Sequence, residues 1–140
     1  MTAEEIARTL GRLPGLVNEN APLVRRGRTL SGEFLVQADD LPVHVTVEQG
    51  RIVAVETGPF RMRSWRFAIK AEAAAWARHW EAMPAPGYHD VIAMTRLGVA
   101  RLEGDLQPLM AHLRYVKEVL AAPRTAPGTV PGTAPGMEGG

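Results

Sequence analysis

Four histidines, His44, His79, His89 and His112, are the side chains best suited to acid–base or metal chemistry in this chain. A metal site wants two or three ligands at set spacings, such as two histidines four residues apart on one helix face. None of the four is so paired, and each falls on a different expected element, so no metal ligand is assigned. His89-Asp90 is the best acid–base candidate. Neighbours in sequence point apart on a helix, however. Asp90 reads more simply as a first-turn carboxylate favoured by the helix dipole. Two arginine groups, Arg25/Arg26/Arg28 and Arg61/Arg63/Arg66, could hold an anion at a pocket mouth. The simpler reading is a solvated surface balanced by local carboxylates.

Several chemistries are excluded outright. The chain has no cysteine, which removes disulfides, thiol catalysis and cysteine-held zinc or iron–sulfur sites. It has no Gly-x-Ser-x-Gly elbow, phosphate loop or dinucleotide fingerprint, and Gly11 to Gly15 is too short to be one. No catalytic residue, metal or cofactor is therefore expected, and the chain does not read as an enzyme.

The elements that would position any site are legible in the middle of the chain. Gly32 to Ala38, Pro42 to Glu48 and Arg51 to Thr57 each alternate and are rich in strand-forming residues. Asp39-Asp40 and Gln49-Gly50 between them are suited to tight turns. Two-residue turns would pair Val36 with Val43, Phe34 with Val45, Glu48 with Arg51, Val47 with Ile52 and Val45 with Ala54. Both hairpins then place Phe34, Val36, Val43, Val45, Val47, Ile52 and Ala54 on one face. The other face receives His44, Thr46, Glu48 and Arg51, with Glu33, Gln37, Leu35, Val53 and Val55. Trp65, Phe67 and Ile69 alternate in a fourth strand, and Val99 to Glu103 makes a fifth, with Ala100 and Leu102 inward.

Helical patterns flank these strands. Thr2 and Glu5 resemble a capping box ahead of Ile6, Leu10 and Leu13, and Pro14-Gly15 should end that helix. Asn18 to Leu30 reads as a connector. Ala71 to Met83 turns helical, with Trp76 and Trp80 one turn apart, and a short helix is expected over Tyr88 to Leu97, stopped by Gly98. Asp105 should cap a final helix carrying Leu106, Leu109, Met110, Leu113, Val116 and Leu120 as its apolar stripe. Strands segregated from helices indicate an α+β two-layer domain: a five-stranded, largely antiparallel sheet with one face covered by helices.

Length and composition agree. The 140 residues are 46% hydrophobic and 22% charged, as expected of a single globular domain able to bury its own core. Residues 1–122 read as that domain, with a core from 30 to 122 and an N-terminal helix and connector over 1–29. Residues 123–140, a near-repeat of Gly-Thr-Xaa-Pro, read as a disordered tail. Sixteen basic residues against fifteen acidic ones leave a net charge of +1, which argues against a nucleic-acid partner. The acidic start is unlike a secretory signal, and no apolar run is long enough to span a bilayer. The expected location is the cytoplasm.

Leu97-Gly98-Val99-Ala100-Arg101-Leu102-Glu103-Gly104-Asp105-Leu106 resembles the strand of the sterol carrier protein 2-like family, with its glycine on either side and an amphipathic helix following. Val45 to Ile52 looks like the family's strand–glycine–strand turn, and Trp65 to Trp76 like its strand leading into the helix over the sheet. Pro84 to Asp90 looks like a bacterial, stand-alone branch of that group. The resemblance covers roughly Leu30 to Ala122. It implies binding or carriage of an apolar small molecule, of the sterol, fatty acid or acyl-CoA class, in a tunnel between sheet and helices, with no chemistry on it.

The lining expected for such a tunnel comes from both layers. Phe34, Val45, Val47, Ile52, Phe67, Ile69 and Leu102 should point from the sheet toward the helices. Trp76, Trp80, Ile92, Leu109, Leu113 and Val116 should face them. The alternative is a non-enzymatic dimerisation or partner-binding module with the same fold, its cavity filled by Trp76, Trp80, Met83 and Met94. A homodimer is open on either reading.

Overall fold

Alternation and turn chemistry produce the expected meander. In a computed structural model describing residues 1–60 and 62–124, the first three strands are β1 (Gly32–Ala38), β2 (Leu41–Glu48) and β3 (Arg51–Thr57). Most of the expected tail, 125–140, and Arg61 lie outside the described residues. With β4 (Phe67–Ala71) and β5 (Ala100–Gly104) the sheet order is β3-β2-β1-β4-β5. Every neighbouring pair is antiparallel except β1 and β4, which run parallel. The fold is α+β, with an open mixed sheet of five strands.

The first hairpin has the expected register, pairing Val36 with Val43 and Phe34 with Val45. The second begins as expected, with Glu48 opposite Arg51 and Val47 opposite Ile52, and then shifts at Thr46/Val47. Beyond the shift Val45 faces Val55, and Ala54 faces Thr46. An extra residue in one strand reverses its alternation, so Val55 takes the inner position expected for Ala54. Beside this bulge Asn18 acts as a substitute strand. Its Nδ2 donates to the Ile52 carbonyl and its Oδ1 accepts from the Ile52 N–H, both at 2.8 Å. That satisfies edge backbone groups that would otherwise be free to pair with another chain.

The N-terminal region is more helical than expected. The capping box of Thr2 and Glu5 starts α1 (Ala3–Leu10), but Pro14-Gly15 does not end the helical stretch. Instead α2 (Leu13–Asn18) and α3 (Ala21–Arg26) follow, within what read as a connector. Pro14 and Pro22 sit in the first turn of each, where a missing N–H costs nothing. Asn20 caps α3 by accepting from the Leu23 N–H at 3.2 Å.

The later helices are shorter than their patterns suggest. In α4 (Ala73–His79) the Ala73 N–H is capped from a distance by the Asp39 carboxylate, at 2.8 Å. In α5 (Val91–Leu97) Asp90 is the N-cap rather than a first-turn residue, and Gly98 closes the helix at φ 88°. That start sets the helix phase: Val91 and Met94 are buried, and Ile92, expected to face the sheet, is only half-buried. The final helix divides into α6 (Leu106–Ala111) and α7 (Leu113–Ala121) at His112, whose backbone leaves helical geometry. His112 Nδ1 donates to the Pro108 carbonyl at 3.0 Å, and its Nε2 accepts from the Thr29 hydroxyl at 2.9 Å. The break leaves Met110 exposed, while Leu109, Val116 and Leu120 are buried.

Two buried contacts tie the ends together. The Tyr115 hydroxyl donates to the Gly50 carbonyl at 2.6 Å, and burial pushes its phenol well above the ordinary range. A Cβ at Gly50 would meet the Val24 carbonyl at 2.3 Å, so only glycine fits that turn against α3.

The outer face departs from the expectation that it is polar and open. His44 is only 1% exposed, and Leu35 is also buried. Phe60 and Ser64, from the segment after β3, cover His44. Phe60 packs edge-on to the His44 ring at 5.6 Å, and Nε2 lies 2.9 Å from both the Ser64 carbonyl and the Glu33 carboxylate. The cover is held in turn by Arg63, paired with Glu56 and lying over the Phe60 ring.

Candidate functional site

Twelve of the thirteen residues expected to line a tunnel lie in or against one apolar core. Phe34, Val45, Val47, Ile52, Phe67, Ile69, Trp76, Trp80, Leu109 and Val116 are buried in one continuous apolar cluster. Leu102 and Leu113 are half-buried against it. Ile92 is the exception. Val91, Met94, Tyr115, Val119 and Leu120 join the cluster from the helices. Leu120 was already in the expected stripe, and Val119, three residues beyond Val116, could have been reached by the same helical spacing.

Large side chains occupy the space between the layers. Phe34 and Phe67 stack across β1 and β4, with centroids 5.1 Å apart. The Trp76 and Trp80 rings lie 5.9 Å apart. Each indole is fixed by its polar end, as buried tryptophans require. Trp76 Nε1 donates to the Gln37 carbonyl at 3.0 Å and Trp80 Nε1 to the Leu120 carbonyl at 2.7 Å. Met94 is fully buried among them, whereas Met83, expected to help fill the interior, is 81% exposed.

None of the thirteen expected lining residues borders either of two clefts on the surface of the described residues. One, of about 560 Å³, lies where β1, β4 and α4 meet. The other, of about 420 Å³, lies between the N-terminal helices and α7.

Polar chemistry concentrates at the end of α4. His79 is fully buried, with its Nδ1 donating to the Tyr88 carbonyl at 2.8 Å. Arg124 binds the His79 and His89 carbonyls through Nη2, at 2.8 and 2.9 Å. Burial holds the His79 imidazole below its ordinary pKa, and the Arg124 charge adds to this. Its Nε2 has no partner among the described residues. Burial alone would raise the Asp90 carboxyl, but the Ala93 N–H and the Lys117 ammonium, 3.2 Å away, hold it below the usual range. His89 is exposed and its Nε2 lies 3.6 Å from Asp90, too far for a hydrogen bond. His89 and Asp90 are therefore not a hydrogen-bonded acid–base pair. Among the described residues no three His, Asp or Glu side chains gather as a metal site.

Four of the arginines singled out have partners. Arg26 pairs with Glu118 and Arg63 with Glu56. Arg28 donates to the Arg25 carbonyl at 2.9 Å, and Arg66 to that of Ser31 at 3.3 Å. Among the described residues no helix is long and apolar enough to cross a membrane.

A mixed sheet in the order β3-β2-β1-β4-β5, one face under helices, defines the sterol carrier protein 2 type of fold. The crystal structure of sterol carrier protein 2 matches with a TM-score of 0.66 at 15% identity, covering 86% of this chain and 94% of that one. A conserved hypothetical protein from Thermus thermophilus, described as possibly a sterol carrier protein, matches with a TM-score of 0.60 at 15% identity, over 88% and 91% of the two chains. UbiJ-SCP2, a ubiquinone synthesis protein, matches at 0.54 and 12% identity, over 83% and 96%. No family model matches the sequence, and no curated protein is similar to it at the sequence level.

Proposed function

We propose that this chain binds and carries an apolar small molecule, of the sterol, fatty acid or acyl-CoA class, between its sheet and its helices, in the cytoplasm and without chemistry of its own. The observation that supports this most is the apolar cluster itself. Residues from all five strands meet residues from the covering helices, on a fold shared with sterol carrier protein 2. The two buried histidines among the described residues are both bonded to backbone carbonyls and offer no activated base.

Neither cleft is bordered by a residue of the expected lining, so a ligand between the layers would have to separate them. The elements it would displace are short: α5 has seven residues, and α6 and α7 meet at the break at His112. Each buried methylene contributes about 0.8 kcal/mol, so roughly ten approach the free energy of micromolar binding. The cost of opening is subtracted from that.

A second reading, a partner-binding or dimerisation module with a filled interior, is favoured by the anchored Trp76 and Trp80 indoles. Titration with fluorescent fatty acids and sterols separates the two. Saturable binding supports the carrier. No saturable binding to any of them, together with a concentration-dependent dimer in sedimentation, supports the module instead.

A further inference from the structure

The parallel pair β1 and β4 brings two carboxyl ends to one edge of the sheet. From there the chain leaves in two directions, through Asp39-Asp40 back to β2 and through Glu72 into α4. Diverging connections of this kind leave a crevice beyond the strand ends, where open sheets commonly take ligands. Here the crevice is the cleft of about 560 Å³, within the ~300–1,000 Å³ typical of small-molecule sites. Small residues, Ala71, Ala74, Ala75 and Val99, leave it open.

Its charges are arranged against the sheet's own interest. Lys70 and Arg101 are direct cross-strand partners, and like charges so placed destabilise a sheet. They share one carboxylate, Glu103, at 2.8 and 3.6 Å. A third cation, Arg78, borders the same cleft with its guanidinium 5.4 Å from the centre of the Tyr88 ring. Of the two acids in the lining, Asp39 is engaged in capping Ala73. Glu72 is exposed and makes no capping bond.

We infer that this cleft binds the carboxylate or phosphate of a small organic anion, through Lys70, Arg78 and Arg101. The cleft borders the apolar cluster at Ala75 but shares none of the thirteen residues expected to line the tunnel, so the inference does not rest on the carrier reading. Arginine and lysine retain donors beyond those given to Glu103 or stacked on Tyr88, and an incoming anion relieves the Lys70–Arg101 repulsion. Glu72 is the residue that opposes binding.

The test is a titration of the full chain with octanoate, octyl phosphate, inorganic phosphate and neutral octanol, followed by amide shifts at Ala71, Ala74, Ala75 and Val99. Saturable shifts with the octyl anions are expected. They should weaken about tenfold in Arg78→Gln and in Lys70→Gln, the scale of one charge-assisted hydrogen bond. Glu72→Gln should bind more tightly, and added salt should weaken binding. If inorganic phosphate reproduces the shifts, the anion alone suffices. If only the octyl anions do, the organic body is needed as well. Both outcomes support the inference. It is overturned if octanol shifts the same amides with equal affinity, if the variants bind unchanged, or if no probe saturates. Octanol binding elsewhere, within the interior, bears on the carrier reading only.

Discussion

On the inner face of the sheet, Phe34, Val45, Phe67 and Ile69 lie beneath helices whose own apolar residues recur at helical spacing. On the outer face, the buried His44 lies beneath residues 58–60 and 62–66, which have no regular structure and cover it through Phe60 and Ser64, with Arg63 lying over the Phe60 ring. One seal is periodic and redundant; the other rests on a few individual contacts. Two periodic patterns that match can be read in advance, because alternation in the strands and helical spacing each name the residues that will meet. An irregular cover leaves no such trace, and the residues beneath it look exposed. The same difference should govern how each face responds to substitution.

The largest effect belongs to the inner face. Phe67→Ala removes a ring stacked on Phe34 in a filled layer and should destabilise the protein by about 3–5 kcal/mol, measured by urea unfolding. A loss below about 1 kcal/mol would mean the layers are not closely packed. His44→Asp sharpens the comparison. Simple alternation places this residue in solvent, where the change would cost little. Buried beside Glu33 and under Phe60, the new carboxylate should cost about 2–4 kcal/mol. A near-neutral result would show that the cover formed by Phe60 and Ser64 is not closed.

The buried histidine of the helical layer gives a smaller, pH-dependent effect. Because burial lowers the His79 pKa, the native state favours the neutral ring, and the unfolded chain takes up the proton first. Stability from this residue is therefore present above about pH 6.5 and declines as pH falls toward the folded value. Urea midpoints at pH 7.5 and 5.0 should show that decline, with a shallower one in His79→Asn. An equal slope in both proteins would remove His79 as its cause. The smallest effect is expected for Glu48→Ala, at the exposed end of β2. It should stay within about 0.5 kcal/mol.

The meander was legible because turn residues and alternation agreed at both hairpins, down to the pairing of Phe34 with Val45. The bulge at Thr46/Val47 was not, since an inserted residue is recognisable only against its partner strand. The N-terminal helices were obscured because Pro14 was read as a breaker, whereas it occupies the first turn of α2, and because the short α3, with Pro22 in its first turn, lies in a stretch read as a connector. Taking Asp90 as the N-cap would have moved Val91 and Met94 inward in place of Ile92. The membership of the apolar cluster followed from these patterns. The cleft did not, because Lys70, Arg78, Tyr88 and Arg101 come from separate segments and share no local spacing.

The central claim, that an apolar ligand enters between sheet and helices, is tested most directly by its contact with the buried indoles. The chain has three tryptophans, and Trp65→Phe leaves only Trp76 and Trp80, both inside the apolar cluster. Titrating that variant with a bromine-substituted fatty acid and a brominated sterol should quench the remaining fluorescence saturably at micromolar concentrations, because bromine quenches only on contact. Fluorescence that stays constant, or falls linearly without saturating for both ligands, would contradict the claim.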